Sequence, residues 1–331
     1  MEPSIPSQKE ALLNELKGNL FEYLVGQNLA LQKGILSEFY RNFGGELKNK
    51  LVQYENWLRN NDPILFKKLP NLASSLAKEL TLYLPEKIDN LLVVGKAGGG
   101  GHRFKLNEAD LLAISKKEMI PISVKLCKAK AFVNTKSGGV KSFIVKYFSN
   151  FPNAPIWQEE LNEVLNIAFQ HMGHELYAQA GLEFTGQFDE RWEHSHLPGK
   201  VPVEMRPVIY KFYSQVILKI YDIFKIMYGQ SQEDFKKCLY PIMGFGNLQI
   251  IQATCFHGIL KGKKYNLKGV KVFTGDELKQ NLKKLKLEKL KADLSSFEMR
   301  SDELILQIRV KPMNIFTTPA VKINCSIKEA L

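Results

Sequence analysis

Two short apolar runs separated by a polar turn stand out in the first half of the chain. They cover residues 109–114 and 120–126, and residues 115–118 lie between them. Short apolar runs bounded by polar turn residues are typical of the two strands of a hairpin. Because successive strand side chains alternate between faces, the pattern predicts that Ser123 and Lys125 point the same way and Val124 points to the other face.

Longer patterns surround this hairpin. Apolar residues recur at roughly helical spacing over residues 8–44, and broken helical patterns follow over 46–88. Helices are also predicted at 140–148, 156–182, 208–227 and 276–294, and strands at 91–94, 249–256, 270–273, 304–310 and 320–327. This order of elements predicts a mixed α/β fold in which a central mixed sheet is flanked by helices.

The chain has a length that fits one large domain or two ordinary ones. We expect a core over residues 8–150 and a C-terminal part over 151–331 that completes the sheet and contacts the substrate, with one soft boundary near residues 151–153. A single continuous domain is the alternative organisation. No linker, repeat or low-complexity tail separates the two parts.

The composition is that of a soluble globular protein, with 45% apolar and 24% charged residues. No run approaches the ~20 apolar residues of a membrane helix, and the N-terminal residues lack the apolar core of a signal peptide. The four cysteines are far apart and form no CxxC pair. We therefore expect a cytoplasmic protein with free thiols and no membrane contact.

The hairpin also carries candidate chemistry. Asp110 lies near the start of its first strand and Lys125 lies on the second, so the carboxylate and the ammonium group can converge on one point. Metal-assisted hydrolysis needs this kind of arrangement, because an oxygen ligand holds Mg²⁺ while a cation lies near the attacking water or the phosphate.

Asp110, Ser123 and Lys125 together resemble the core motif of the PD-(D/E)xK nuclease superfamily. That motif has an acidic residue, a gap of about one strand and turn, and then acid-any-lysine. Asp110 matches the first position and Lys125 the last, whereas Ser123 stands where the family usually has Asp or Glu. Some restriction endonucleases of the superfamily also have Ser-x-Lys and take the missing carboxylate from a nearby helix. The resemblance implies a restriction-endonuclease-like fold.

The resemblance also implies roles for the site residues. Asp110 and a second carboxylate would hold Mg²⁺, Lys125 would orient or deprotonate the water and stabilise the pentavalent phosphate, and Ser123 would contact a metal-bound water. Many nucleases of the superfamily carry a glutamate on the first helix, which favours Glu22 as the second carboxylate. The other candidate is Glu108, which shares a predicted strand face with Asp110. A surface position is the alternative for Glu22.

The charge balance favours a polyanionic partner. The formal net charge is +12, and basic residues flank the motif on both sides. A glycine-rich segment at 95–103 would let the backbone approach a phosphodiester, although a plain loop has the same composition. A solvated lysine face is the alternative for the whole set. The candidate DNA contacts are Arg103, Lys128, Lys130, Asn134, Lys136 and Lys141.

These observations predict a type II restriction endonuclease that cuts double-stranded DNA with Mg²⁺. A palindromic site has two scissile phosphates related by a two-fold axis, and the chain carries one motif, so we expect a homodimer. Two other classes remain open. One is a non-catalytic DNA-binding module that keeps the nuclease fold, and the other is a repair or recombination nuclease that recognises DNA structure.

Overall fold

The protein is a mixed α/β structure, which confirms the predicted fold class. It divides into two compact units, which are described separately. The first comprises Met1–Ala131 and Asn247–Leu278, and the second comprises Phe132–Gly246 and Lys279–Leu331. The computed structural model describes residues 6–96, 98, 108–116, 118–194, 196–246, 248–291, 294–311 and 315–329.

The first unit consists of four helices and a five-stranded sheet in its described residues. Its helices are α1 (Pro6–Gln32), α2 (Leu36–Arg41), α3 (Gly45–Asn61) and α4 (Pro63–Leu80). Its strands are β1 (Asn90–Val93), β2 (Leu111–Ser115), β3 (Glu118–Lys128), β5 (Ile251–Leu260) and β6 (Lys263–Phe273). The strand between β3 and β5 in the chain, β4, belongs to the second unit.

The sheet of the first unit is mixed, with strand order β1-β2-β3-β5-β6. β2 and β3 form the predicted antiparallel hairpin, in which Ser115 lies opposite Glu118. β5 then pairs with β3 in parallel, which places Ser123 beside Gln252 and Lys125 beside Thr254. β6 returns antiparallel to β5 and forms the far edge.

The core of the first unit lies on one face of this sheet. Ile122 and Val124 of β3 pack in one buried cluster with apolar side chains of α1, such as Val25, and of α4, such as Leu72. Ser123 and Lys125 alternate with these residues along β3 and therefore belong to the other face. The burial of Ile122 and Val124 fixes the register of β3, because a shift of one residue would exchange the two faces of the strand.

The second unit contains an antiparallel sheet of order β4-β10-β9-β8-β7. Its strands are β4 (Val133–Gly139), β7 (Lys286–Leu287), β8 (Ser296–Arg300), β9 (Leu304–Lys311) and β10 (Lys322–Glu329). Its helices are α5 (Phe143–Tyr147), α6 (Ala154–Gln179), α7 (Arg206–Gln230) and α8 (Gln232–Ile242). A further helix, α9 (Gly275–Lys283), spans the point at which the chain passes from one unit to the other.

Three features differ from the sequence-based expectations. The expected boundary near residue 150 does not coincide with the division between the two units. The first unit ends at Ala131 and resumes at Asn247, because β5 and β6 return to its sheet. The helix expected over 276–294 ends at Lys283, and the short strand β7 follows it. β4 was not expected, because its polar and glycine residues form a strand only through pairing with β10.

Within the described residues, no helix is both long enough and apolar enough to cross a bilayer.

Candidate active site

The backbone of Asp110 is held between two strands of the first unit. Its N–H donates to the carbonyl of Ile122 at 2.8 Å, and its carbonyl accepts from the N–H groups of Val94 and Gly95 at 2.9 and 3.0 Å. Asp110 immediately precedes β2, which begins at Leu111. These hydrogen bonds fix the point from which the Asp110 side chain extends, at the end of the strands rather than within them.

The carboxylate of Asp110 contacts three consecutive residues of β3. Its Oδ2 atom accepts from the backbone N–H of Val124 at 2.7 Å, from Ser123 Oγ at 3.2 Å and from Lys125 Nζ at 3.2 Å. The last contact is an ion pair. The structure therefore brings Asp110, Ser123 and Lys125 together, although the two ends of this group are fifteen residues apart in the chain.

Glu22 reaches the same point from α1. A side-chain carbon at Gly95 would lie 2.6 Å from Glu22 Oε2 and 3.5 Å from Asp110 Oδ1, so both carboxylates border this position. Glu22 Oε2 is buried and has no hydrogen-bond partner among the described residues. Burial of a carboxylate oxygen without a partner is costly, and such an atom calls for a proton, a cation or a ligand.

The charged groups of the site act on one another's pKa values. Burial raises the pKa of Glu22 to about 8, and Asp110 acts in the same direction while Lys125 opposes it. Burial acts to lower the pKa of Lys125, but the Asp110 and Glu22 carboxylates outweigh it, and the pKa lies above its ordinary value. Without a bound cation, the site therefore holds a protonated Glu22 and a charged Lys125 at neutral pH.

The two carboxylates fit a divalent cation. Mg²⁺ is commonly held by one or two carboxylates, with water and phosphate oxygens completing its shell. The unpartnered Oε2 of Glu22 and the Oδ1 of Asp110 border one position, as such a site requires. No group of three or more histidine, cysteine, aspartate or glutamate side chains suited to a metal occurs in the described part of the chain. Glu22, Asp110 and Glu108 therefore do not form a three-carboxylate set.

Glu108 differs from its expected position. The sequence placed it on a strand face shared with Asp110, and this was wrong, because β2 begins only at Leu111. Glu108 lies in the turn before the strand, where side chains no longer alternate between two faces. The structure thus supports Glu22 more directly than Glu108 as the partner of Asp110.

The candidate DNA contacts are divided between the two units. Lys128 and Lys130 are exposed in the first unit, at the end of the strand that carries Lys125. Asn134, Lys136 and Lys141 belong to the second unit, the first two on β4 and the third just after it. Arg103 lies outside the described residues, as does part of the loop after β9. Of these five described residues, Lys128 on β3 is the one that lies in the sheet of the first unit.

Sequence reasoning missed three residues of the site. Gly95 borders both carboxylates, and Gln252 and Thr254 lie beside Ser123 and Lys125 on β5. Gln252 and Thr254 are only 2% and 4% exposed. The sequence already indicated Gln252 and Thr254 as candidates, because these two polar residues alternate with apolar residues in a strand that is otherwise typical of a core.

Comparison of the chain with protein-family models, with curated proteins and with solved structures gave no match. The chemistry of the site therefore has to be inferred from its own side chains. Two carboxylates that border one point, with an ammonium group 3.2 Å from one of them, can hold a divalent cation beside a fixed positive charge. This combination suits hydrolysis of a phosphate ester, because it neutralises the charge of the phosphate and of its transition state.

Gly95 offers a specific test of the paired carboxylates. We expect Gly95→Ala to leave the fold intact and to displace the Glu22 carboxylate, because the closest atom to the new methyl group is the mobile end of that side chain, at 2.6 Å. Divalent-metal affinity, measured by titration calorimetry, should fall ~10-fold, which corresponds to the loss of about one good ligand contact.

The matched control for this change is Gly18→Ala, one helical turn from Glu22 on α1. No atom lies within 4 Å of the added carbon at Gly18. That substitution should leave metal affinity unchanged and raise the free energy of unfolding by ~0.5–1 kcal/mol, since alanine is the better helix former. Unchanged metal affinity in Gly95→Ala would contradict the proximity of Glu22 and Asp110.

Proposed function

We propose that the chain is a Mg²⁺-dependent endonuclease that hydrolyses phosphodiester bonds in double-stranded DNA, in the manner of a type II restriction enzyme. One observation carries the proposal. The unpartnered Glu22 Oε2 and the Asp110 Oδ1 border one position, and Lys125 forms an ion pair with the same aspartate. The resemblance of Asp110, Ser123 and Lys125 to the PD-(D/E)xK motif supports the same reaction class.

Each side chain has a distinct role in the proposed reaction. Glu22 and Asp110 would hold Mg²⁺, which when bound polarises a phosphoryl oxygen and lowers the pKa of a water molecule. Lys125 places a positive charge beside the site and stabilises the additional negative charge of the pentavalent phosphate. Ser123 donates to Asp110 Oδ2 and, with the N–H of Val124, orients the aspartate. This positioning role is compatible with the expected contact of Ser123 with a metal-bound water.

Double-stranded DNA is the proposed substrate because of charge and symmetry. The net charge of +12 and the exposed Lys128 and Lys130 near the site favour a polyanion. Cleavage of both strands at a palindromic site needs two copies of the single motif, which a homodimer with two-fold symmetry supplies. We therefore propose that two chains act together on DNA.

The experiment that tests this function is incubation of linear duplex DNA with the purified protein and Mg²⁺. We expect discrete fragments with Mg²⁺ and none with a chelator, and sedimentation should give two chains per cleaved duplex. A smear of products, or cleavage only at branches, would point to a nuclease that recognises structure. One chain per cleaved site would count against the dimer.

A non-catalytic DNA-binding module is the second candidate, and one observation favours it. Ser123 supplies no charge at the position where the family usually has an acid, and Asp110 Oδ2 is already occupied by three donors. A site with a single usable aspartate oxygen and one glutamate would bind Mg²⁺ weakly. DNA binding without cleavage by any divalent metal would support this candidate against the nuclease.

A further inference from the structure

A second group of basic residues lines a pocket of the first unit, at the ends of β3, β5 and β6. The pocket has a volume of about 640 Å³. Four lysines border it, together with one histidine and one tyrosine: Lys128, Lys130, Lys264, Lys268, His257 and Tyr265. Lys128 and Lys130 were predicted to contact DNA from the sequence, whereas the other four residues are more than a hundred residues away in the chain.

The four lysines are exposed and carry uncompensated charge. Within the described part of the chain, none of them forms an ion pair with a carboxylate. Lysines elsewhere are paired, as Lys211 is with Glu175 in the second unit. Four like charges around one pocket repel one another, and this repulsion is relieved when an anion binds among them.

The floor of the pocket is formed by two aromatic rings. His257 is buried, and its ring lies 5.2 Å from that of Tyr265. Burial, Lys17 and Lys128 lower the pKa of His257 to about 4, so its imidazole is neutral at neutral pH. The Tyr265 hydroxyl donates to Asp62 Oδ2 at 2.5 Å, and Asp62 also caps the N-terminus of α4 through Leu65. These contacts fix the rings on which a bound group would rest.

The backbone around the pocket is also specialised. The N–H of Ala129 donates to the carbonyl of His257 at 2.8 Å, which holds the end of β3 against β5. Lys130 adopts a positive φ of 66°, which turns the chain there. Lys268 lies across Gly258, where an added side-chain carbon would be 3.0 Å from Lys268 Cε. Glycine at 258 therefore leaves room for the lysine to reach across the strand.

We infer that this pocket binds a backbone phosphate of the DNA strand that is cut at the neighbouring carboxylate site. This inference rests on the proposed function. Lysine provides a compact point charge that suits phosphate, and a pocket lined by four lysines and by no carboxylate side chain favours an anion. The neutral imidazole of His257 can add one hydrogen bond without adding a charge.

The position of the pocket relative to Lys125 limits where a bound phosphate can lie. Lys125 and Lys128 are three residues apart on β3, about 10 Å at the rise of a strand, and their side chains leave opposite faces because the separation is odd. His257 pairs with Lys128 and therefore lies on the same face as Lys128. A DNA strand advances 3.4 Å per nucleotide along its axis and would have to pass the end of β3 to reach both groups, so the phosphate in the pocket would lie several nucleotides from the cleaved bond.

The test is the salt dependence of DNA binding by the double variant Lys264→Gln/Lys268→Gln, measured by fluorescence anisotropy without divalent metal. We expect affinity to fall ~10-fold at about 0.1 M salt and the slope of log K against log salt to become less steep by about 0.9, the value for one phosphate. The matched control is Lys67→Gln/Lys78→Gln, which removes two exposed lysines of α4 with the same change in net charge.

A scan with neutral methylphosphonate linkages then locates the phosphate. We expect one linkage of the cut strand, several nucleotides from the cut, to weaken binding of the wild type but not of Lys264→Gln/Lys268→Gln, as a double-mutant cycle requires. The phosphate-binding role of the pocket would be contradicted if every linkage had the same effect on both proteins. It would also be contradicted if the two double variants lost the same DNA affinity. Neither result would contradict the proposed nuclease activity. Absence of DNA binding by the wild type would overturn both proposals.

Discussion

Asp110→Asn and Lys125→Met should each reduce the rate of DNA cleavage ~10²-fold or more while leaving DNA affinity within a few-fold of the wild type. Asp110 supplies one of the two oxygens proposed to hold Mg²⁺, and Lys125 supplies the fixed positive charge beside it. A loss of ~10² corresponds to about 2.7 kcal/mol of transition-state stabilisation, within the range of such groups. Single-turnover cleavage of a defined duplex measures the chemical step.

Two further variants separate chemistry from positioning. Ser123→Ala removes one hydrogen bond to Asp110 Oδ2 and leaves the bond from Val124 in place, so cleavage should fall by ~10-fold or less. Lys67→Met removes an exposed lysine of α4 and should leave cleavage unchanged. Cleavage at the wild-type rate by Asp110→Asn or Lys125→Met would remove these residues from the reaction.

The free energy of unfolding of the metal-free protein should fall by ~2–4 kcal/mol as pH rises from about 5 to about 8. Burial raises the pKa of folded Glu22 to about 8, whereas an unfolded glutamate ionises at about 4.5. Between these values the folded state binds more protons than the unfolded state. Rising pH therefore favours unfolding, and the contribution of Glu22 is complete below the unfolded pKa and lost above the folded one.

Urea denaturation with a chelator at several pH values measures this effect. Glu22→Gln keeps the shape of the protonated side chain and cannot ionise, so its stability should lack this pH-dependent loss. Glu108→Gln serves as the control and should behave as the wild type does. Addition of Mg²⁺ at pH 8 should raise the free energy of unfolding of the wild type more than that of Glu22→Gln, because the cation compensates the buried charge of Glu22. Parallel stability curves for the wild type and Glu22→Gln would show that Glu22 is not buried beside Asp110.

The hairpin and its motif could be predicted because their signals are local. Two apolar runs and a polar turn specify β2 and β3, and alternation along β3 separates Ser123 and Lys125 from Val124. The convergence of Asp110 on Lys125 then follows from pairing of adjacent strands. The candidate role of Glu22 came from the resemblance and not from spacing, because a helix packed on a sheet has no fixed register with it.

The parts that sequence could not predict depend on distant pairing. Gln252 and Thr254 join the site because β5 pairs with β3 across more than a hundred residues. The same pairing brings His257 beside Lys128 and so builds the basic pocket. The strand at β4 has a similar origin, since it pairs with β10 near the end of the chain. No local pattern of polar and apolar residues encodes such partners.

Glu108 shows how a small error in a strand boundary changes a functional assignment. The apolar run at 109–114 suggested that alternation already applied at Glu108, but the strand begins at Leu111. Asp110 nevertheless keeps its position, because its backbone N–H and carbonyl are hydrogen-bonded to the neighbouring strands. Backbone hydrogen bonds to the neighbouring strands therefore continue beyond the end of β2 and fix Asp110, whereas Glu108 lies in a turn.

Calorimetric titration of the purified protein with Mg²⁺ is the most direct test of the paired-carboxylate site. It should be carried out on the wild type and on Glu22→Gln, Asp110→Asn and Glu108→Gln at one pH. We predict that Glu22→Gln and Asp110→Asn each weaken Mg²⁺ binding at least ~10-fold and that Glu108→Gln leaves it unchanged. Full Mg²⁺ affinity in Glu22→Gln, with affinity lost in Glu108→Gln, would contradict a site built from Glu22 and Asp110.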